Sequence, residues 1–90
     1  MSIELTDEQL KAAIMELLAK KGRWGAHYLP IDTTINWLGK KVRRDGKRVK
    51  LMVRELVNGG YLFVHKRGET ISLNPARSRE IMELLRSAPQ

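Results

Sequence analysis

The stretch KKVRRDGKRVK, residues 40 to 50, holds seven Lys or Arg side chains in eleven positions, with Asp45 as its one acid. A run of cations can be a solvated helix face or a surface that holds an anion. Phosphate is the anion that Lys and Arg bind on nucleic acids, and the shortage of acids in this run favours that use. The first chemistry that the sequence suggests is therefore phosphate binding.

Residue types that support catalysis or metal binding are sparse. The chain has no cysteine and two histidines, His27 and His65, which are far apart and lack a Cys, Asp or Glu cluster at metal-ligand spacing. No Ser–His–Asp arrangement or phosphate-cradling glycine loop is found, since Gly59-Gly60 is typical of a helix end. We therefore expect no enzyme activity, no bound metal and no cofactor.

The net charge of +7 is concentrated in the middle of the chain. Residues 20–67 carry thirteen Lys or Arg against three acids, whereas residues 1–19 have a net charge of −3 and residues 68–90 are neutral. An excess confined to one part of a chain indicates a binding surface more than general solubility.

Ninety residues, 42% of them hydrophobic, suit one small globular domain with a single core. No apolar run approaches the roughly 20 residues of a membrane span, and the first residues lack the order of a secretory signal. We expect a cytoplasmic protein without a membrane partner, associated with the nucleoid if its source is a prokaryote.

The first part of the chain predicts a helix followed by a short strand. Thr6 and Gln9 have the spacing of a capping box, and the apolar period after them predicts helix 1 at about residues 7–21. The next stretch holds two glycines and a proline among aromatic residues, which permits a short strand near His27–Leu29.

Two further helices follow. Asp32 or Thr33 can cap helix 2, which is predicted at about residues 33–42, and helix 3 is predicted at about residues 46–58. The apolar stripe of helix 3 is the clearest period in the chain and consists of Val49, Met52, Val53, Leu56 and Val57.

The last third predicts a β-hairpin and a terminal helix. Strand-forming residues on either side of the Lys66–Glu69 turn predict a hairpin over residues 61–73, with a basic tip. Asn74 then caps helix 4, predicted at about residues 75–87, with Pro75 at its first position, where a missing N–H costs nothing.

This order of elements resembles the winged helix-turn-helix superfamily over nearly the whole chain. The resemblance is clearest in an apolar third helix that ends in glycine before the first wing strand, through Val49, Val53, Leu56, Gly60, Tyr61 and Leu62. It implies an α+β fold in which a two-stranded hairpin, the wing, follows three helices and precedes a fourth. The segment RRDG, residues 43–46, departs from the pattern because it makes the turn between helices 2 and 3 longer and more basic.

In that superfamily the third helix usually enters the DNA major groove, and the wing tip touches the backbone or the neighbouring minor groove. At about 100° per residue, five positions of helix 3 point away from its apolar stripe, namely Lys47, Lys50, Leu51, Arg54 and Asn58. Folding would bring further cations to the same side as phosphate contacts, namely Lys40, Lys41, Arg43, Arg44, Arg48, Lys66 and Arg67.

Three residues of helix 3 could read bases. The planar fork of Arg54 can bond the O6 and N7 atoms of guanine, although it could equally join a local ion network with Glu55. Asn58 could reach adenine or a phosphate. Leu51 could meet a thymine methyl group or pack against the turn or a partner, and packing is the favoured interpretation. We expect most aromatic side chains in the core and Trp37 on helix 2 to be partly exposed.

These expectations favour a duplex DNA-binding protein, either a small transcriptional regulator or a chromosome-associated factor. RNA binding by the same basic surface is one alternative. A docking module for an acidic protein is another, with Leu51 or Trp37 as its hot spot. The apolar side of helix 4, together with helix 1, could form a twofold homodimer seam or cover the core of a monomer.

Overall fold

The computed structural model describes residues 6–42 and 46–87, and for residues 39–42, 46 and 66 it describes the backbone alone. Within these residues the chain forms four α-helices and a three-stranded antiparallel sheet, which confirms the expected α+β class. In chain order the elements are α1 (Asp7–Lys20), β1 (Leu29–Pro30), α2 (Ile31–Val42), α3 (Gly46–Asn58), β2 (Leu62–His65), β3 (Thr70–Leu73) and α4 (Ser78–Ser87).

α1 begins at the capping box that the sequence predicts. The Thr6 hydroxyl accepts a hydrogen bond from the backbone N–H of Gln9 at 3.1 Å, and the Gln9 side chain accepts one from the N–H of Thr6 at 2.9 Å. These bonds satisfy N–H groups that the first helical turn leaves free. The helix ends at Lys20, one residue before the predicted end, and Gly22 adopts a left-handed φ of 66° just beyond it.

The segment after α1 lies against β3, and the strand predicted near His27–Leu29 starts two residues later, as β1. Backbone hydrogen bonds fix this segment, because the Gly25 N–H donates to the Leu73 carbonyl at 2.9 Å and the Leu73 N–H donates to the Arg23 carbonyl at 2.8 Å. The segment therefore forms a regular strand only from Leu29, which pairs with Ile71 of β3.

α2 begins at Ile31, two residues before its predicted start, so neither Asp32 nor Thr33 is its N-cap. The Ile31 N–H donates to the carbonyl of Glu69, in the turn between β2 and β3, at 2.9 Å. The first N–H of the helix thus finds its partner in the tertiary structure, which no local signal predicts. Asp32 remains in the first turn, where its negative charge suits the helix dipole.

α3 occupies the predicted residues and buries the predicted stripe. Four side chains of the stripe are no more than 4% exposed, namely Val49, Met52, Val53 and Leu56. The helix ends where Gly60 adopts a left-handed φ of 83° and the Tyr61 N–H donates to the Leu56 carbonyl at 3.0 Å. A glycine fits this position because it has no side chain to clash.

β2 and β3 form the predicted hairpin, and the short strand β1 joins it as the third strand of the same sheet. The strand order is β1-β3-β2, with antiparallel pairing on both sides of β3. Ile71 and Leu73 are fully buried in the core, whereas the Ser72 hydroxyl, on the other face, donates to the Gly25 carbonyl at 2.8 Å. The central strand is therefore covered on both faces.

The predicted terminal helix over residues 75–87 is a tight turn followed by a helix. The Asn74 side chain accepts a hydrogen bond from the N–H two residues later at 3.0 Å, as predicted for its cap, and Pro75 follows it. Residues Pro75–Arg77 form one 3₁₀ turn, and α4 starts only at Ser78. Tight first turns of this kind are frequent at helix N-termini.

α1 organises the core, because it contacts α2, α3, α4 and β3. Its side chains Leu10, Ile14 and Leu18 are fully buried against these elements. The arrangement of helices around a small antiparallel sheet is compatible with a winged-helix layout. In the part of the chain that the structure describes, no helix has the length and apolar character needed to cross a bilayer.

A small polar cluster fastens α4 to the turn between α3 and β2. The Tyr61 hydroxyl donates to the Glu80 carboxylate at 3.0 Å, and the Arg77 guanidinium bonds the same carboxylate at 3.1 Å. The hydrogen bond to Glu80 raises the pKa of Tyr61, and burial of the phenol adds to the increase. The folded state therefore holds the phenolic proton more tightly than the unfolded chain does.

Removing the Glu80 charge should lower the pKa of Tyr61. A Tyr28→Phe background leaves Tyr61 as the one tyrosine of the two in the sequence, so tyrosinate absorbance then follows a single group. Glu80→Gln should move the midpoint back toward about 10, the ordinary value for tyrosine. Because the folded pKa is raised, the interaction stabilises the fold below about pH 10, and this contribution is lost as the pH rises through the folded pKa. An unchanged midpoint in Glu80→Gln would contradict the assigned hydrogen bond.

Leu56→Ala and Leu51→Ala remove the same atoms from opposite faces of α3. Leu56 is 4% exposed and Leu51 is 50% exposed. We expect Leu56→Ala to lower the free energy of unfolding by about 2–5 kcal/mol, the usual cost of a leucine cavity in a core. Leu51→Ala should change it by no more than about 0.5 kcal/mol, as surface substitutions usually do. Urea unfolding followed by circular dichroism measures both, and comparable losses would show that the two faces are misassigned.

Candidate nucleic-acid interface

α3 turns one face to the core and the other to solvent, as the sequence predicts. Opposite the buried stripe, five side chains are exposed, and we call them the outer face of α3: Lys47, Lys50, Leu51, Arg54 and Asn58. Leu51 is the apolar residue of this face, and half of its surface is exposed. The preferred interpretation, that Leu51 packs against the turn or a partner, stays a prediction, because residues 43–45 of the turn lie outside the described residues.

The cations of the outer face are not neutralised by the part of the chain that the structure describes. Hydrogen bonds and ion pairs there join other groups, and none involves the side chains of Lys47, Lys50 or Arg54. Glu55 bonds Lys11 of α1 at 3.1 Å, so the ion network that the sequence left open for Arg54 does not form with Glu55. Three positive charges within about two helical turns create a strongly positive surface.

The flank of α3 that faces α1 is, in contrast, charge-balanced. The sequence assigns Arg48 to phosphate binding, but its guanidinium lies 2.8 Å from the carboxylate of Asp7, at the start of α1. On the same flank, the hydrogen bond to Glu55 is the main cause that raises the pKa of Lys11. Exposed pairs of this kind contribute about 1 kcal/mol or less to stability. The pair with Asp7 matters more for the candidate interface, because it holds the Arg48 side chain away from the outer face.

Arg67 stands at the tip of the hairpin with an unusual backbone conformation. Its φ of 57° and ψ of 32° lie in the left-handed region, and Gly68 follows with a φ of 90°. This region costs a residue with a side chain roughly 1–2 kcal/mol, so glycine would fit the position of Arg67 better. The turn nevertheless exposes a cation at its tip.

A groove of about 740 Å³ separates α3 from the hairpin. Lys50 and Arg54 stand on its α3 side, and Asp32 of α2 and Glu69 of the hairpin turn stand opposite. The floor between them is aliphatic and consists of Ile31, Val53, Val57 and Val64. The two acids repel anions from the groove itself, so a phosphate bound by Lys50 or Arg54 would lie on the solvent side of these cations. The sequence analysis missed both acids because folding alone brings them to this groove.

Five of the predicted phosphate contacts fall where the structure describes no side chain. Arg43 and Arg44 lie outside the described residues, and Lys40, Lys41 and Lys66 are described by their backbone alone. The backbone places Lys40 and Lys41 near the C-terminal end of α2 and Lys66 in the hairpin turn. For these five residues, phosphate binding stays a prediction.

The aromatic and histidine side chains follow the sequence expectations in part. Trp37 is partly exposed, as predicted, but Phe63 is exposed to the same degree, 39%, although most aromatics were expected in the core. Phe63 lies on β2, an edge strand, where a side chain has a neighbouring strand on one side only. The centroids of the His65 and Tyr28 rings lie 3.7 Å apart, so His65 has a packing role. Among the described residues, no group of three His, Cys, Asp or Glu could hold a metal ion.

Comparison with known proteins gives no match of any kind. No protein-family model, no curated protein and no solved structure matches this chain. The functional argument therefore depends on the geometry and charge of the residues described above.

The left-handed conformation of Arg67 predicts an unusual pattern of substitution effects. Arg67→Gly should lower the free energy of unfolding by no more than a few tenths of a kcal/mol, because relief of the strain offsets the extra freedom of glycine in the unfolded chain. The matched control Arg54→Gly, in the middle of α3, should cost about 1 kcal/mol. Thermal unfolding measures both. A larger loss in Arg67→Gly than in Arg54→Gly would contradict the conformation assigned to the tip.

Proposed function

We propose that this protein is a winged-helix protein that binds duplex DNA, with the outer face of α3 in the major groove and the hairpin tip against the backbone. A protein of this kind would act as a small transcriptional regulator or as a chromosome-associated factor. The observation that carries the proposal is the set of exposed cations on the outer face, which lack an acidic partner among the described residues.

The dimensions of an α-helix support the choice of the major groove. A helix with its side chains is about 10–12 Å across, and the major groove of B-form DNA is about 12 Å wide. Lys47, Lys50 and Arg54 project from the solvent-facing side of α3, so a helix seated in the groove would bring them near the phosphates that line it. Arg48 is left out of the proposed contact set because Asp7 holds it on the opposite flank.

The hairpin adds a second contact region. Its turn is held to the start of α2 by the hydrogen bond from the Ile31 N–H to the Glu69 carbonyl. This bond fixes the tip relative to the helices, so that Arg67 and α3 can contact the same duplex. The presence of an arginine in a conformation that favours glycine is consistent with a use for its charge, because strained residues are frequent at functional sites.

Specific base reading would come from Arg54 and Asn58. Both are exposed, and neither side chain bonds another described residue. The guanidinium of Arg54 can therefore turn its fork to a guanine edge without first breaking an ion pair. Asn58, about one turn further along the helix, could pair with adenine.

Duplex RNA is disfavoured as the substrate by the same geometry. The major groove of A-form RNA is deep and narrow, so side chains on a helix do not reach its base edges. A protein that presents its cations on one exposed helix therefore fits B-form DNA better.

Binding of the purified protein to a labelled mixed-sequence DNA duplex over a range of salt concentrations tests the proposal. On a mixed-sequence duplex, four described cations would contact phosphates, namely Lys47, Lys50, Arg54 and Arg67, because Arg54 would turn to a guanine edge only at a specific site. Four contacts predict a log–log slope of about −3.6, since each phosphate contributes about −0.9, and further contacts from undescribed side chains would steepen it. Fluorescence anisotropy measures the slope, with duplex RNA of the same sequence as the control. Negligible binding to duplex DNA at low salt would exclude the proposal and direct attention to RNA or to a protein partner at the exposed Leu51 and Trp37.

Two arginines of α3 provide a matched pair for the same assay. Arg54→Gln and Arg48→Gln remove equal charge from the same helix, but Arg54 lies on the outer face and Arg48 is paired with Asp7. We expect Arg54→Gln to reduce the steepness of the salt dependence by about one phosphate contact, and Arg48→Gln to leave it nearly unchanged. Equal effects of the two substitutions would mean that net charge, and not the outer face, governs binding.

A further inference from the structure

Leu51 is an exposed leucine beside the residues proposed to contact DNA. Along α3 it follows Lys47 by four positions and precedes Arg54 by three, so the three side chains lie on one surface of the helix. Half of the leucine surface is exposed, although α3 has a core face that takes up its other large aliphatic residues. The fold thus leaves Leu51 free to contact whatever meets the outer face.

The position of Leu51 on the helix decides which part of a duplex it would meet. When a helix lies in the major groove, side chains at the middle of its inserted face point to base edges, and those toward the sides reach phosphates. On its groove side, Leu51 has the cations Lys47 and Lys50. On its other side it has Arg48 and Glu55, which are paired with residues of α1. A leucine has no hydrogen-bonding group, so the base feature it can recognise is apolar. The C5-methyl group of thymine is the apolar feature that base pairs present in the major groove.

We infer that Leu51 packs against thymine methyl groups, which makes the substrate of this site thymine-containing duplex DNA. This inference depends on the proposed function and adds a chemical basis for its preference for DNA. Uracil lacks the C5-methyl group, so the same contact discriminates against RNA independently of groove shape.

The test compares two mixed-sequence DNA duplexes that differ only in the thymine methyl groups. In one duplex every thymine base is replaced by uracil, which leaves the base-pair hydrogen bonds and the phosphate charge unchanged. Burial of one methyl group predicts that the wild-type protein binds the thymine duplex about fourfold more tightly per contacted thymine. Leu51→Ala should reduce this ratio to about one while it keeps the salt dependence, because the phosphate contacts remain.

Leu84→Ala is the matched control for this experiment. Leu84 is also an exposed leucine, 41% exposed, but it lies on α4 and outside the outer face of α3. The inference requires that Leu84→Ala keeps the wild-type ratio between the two duplexes. Loss of the ratio in both variants, or in neither, would overturn the assignment to Leu51.

The experiment distinguishes failure of the inference about Leu51 from failure of the proposed DNA binding. If the wild-type protein binds both duplexes equally, with a steep salt dependence, the role of Leu51 is excluded and the proposed DNA binding stands. If neither duplex is bound at low salt, the proposed function fails, and the inference fails with it. In that case the exposed leucine is better explained as a contact for a protein.

Discussion

Burial of the apolar stripe on α3 is the constraint on which the candidate interface depends. Once Val53 and Leu56 are packed against the rest of the core, the rotation of the helix about its axis is fixed. The outer face then has to point to solvent, because residues on a helix keep a set angular spacing. The same hydrophobic contacts that stabilise this small domain therefore orient its cations, and the proposed binding would require no rearrangement of the helix.

Four acidic side chains lie on the two sides of the outer face of α3 and limit the extent of its positive charge. Asp7 and Glu55 neutralise cations on the α1 side of α3, whereas Asp32 and Glu69 stand across the groove on the hairpin side. On α3, the cations that have no acidic partner among the described residues therefore form a strip along the outer face. A strip of this kind constrains the direction in which a polyanion can lie, whereas a uniformly basic protein would allow many orientations.

Local patterns in the sequence were sufficient to predict the elements whose stabilising contacts are themselves local. The capping box at Thr6, the apolar period of α3 and the cap at Asn74 all involve residues within a few positions of one another, and the structure confirms each. The start of α2 was wrong because its first N–H bonds Glu69, which is distant in sequence. The position of β1 was wrong for a similar reason, since its partner strand lies near the other end of the chain.

In the candidate site, too, some properties follow from the local sequence and others depend on the assembled fold. The outer face follows from helical periodicity, and its exposure is confirmed for five residues. The sequence could not show that Arg48 is held by Asp7, because a charge pair across 41 positions leaves no local signal. The same is true of Leu51, whose exposure depends on the absence of a covering element within the described residues. Burial and charge pairing are properties of the assembled fold, whereas helical phase is a property of the segment.

The edges of the sheet have a consequence for association between copies of the chain. β1 consists of two residues, and one of them is Pro30, which has no N–H to donate to an added strand. The opposite edge, β2, has four residues and leads into the turn that carries Lys66 and Arg67. A strand of four residues offers few backbone groups to an added strand, and the cations at its end disfavour a second copy aligned in parallel. The sheet is therefore poorly suited to grow by strand addition, and the apolar side chains on β2 can remain exposed with little risk of fibrous aggregation.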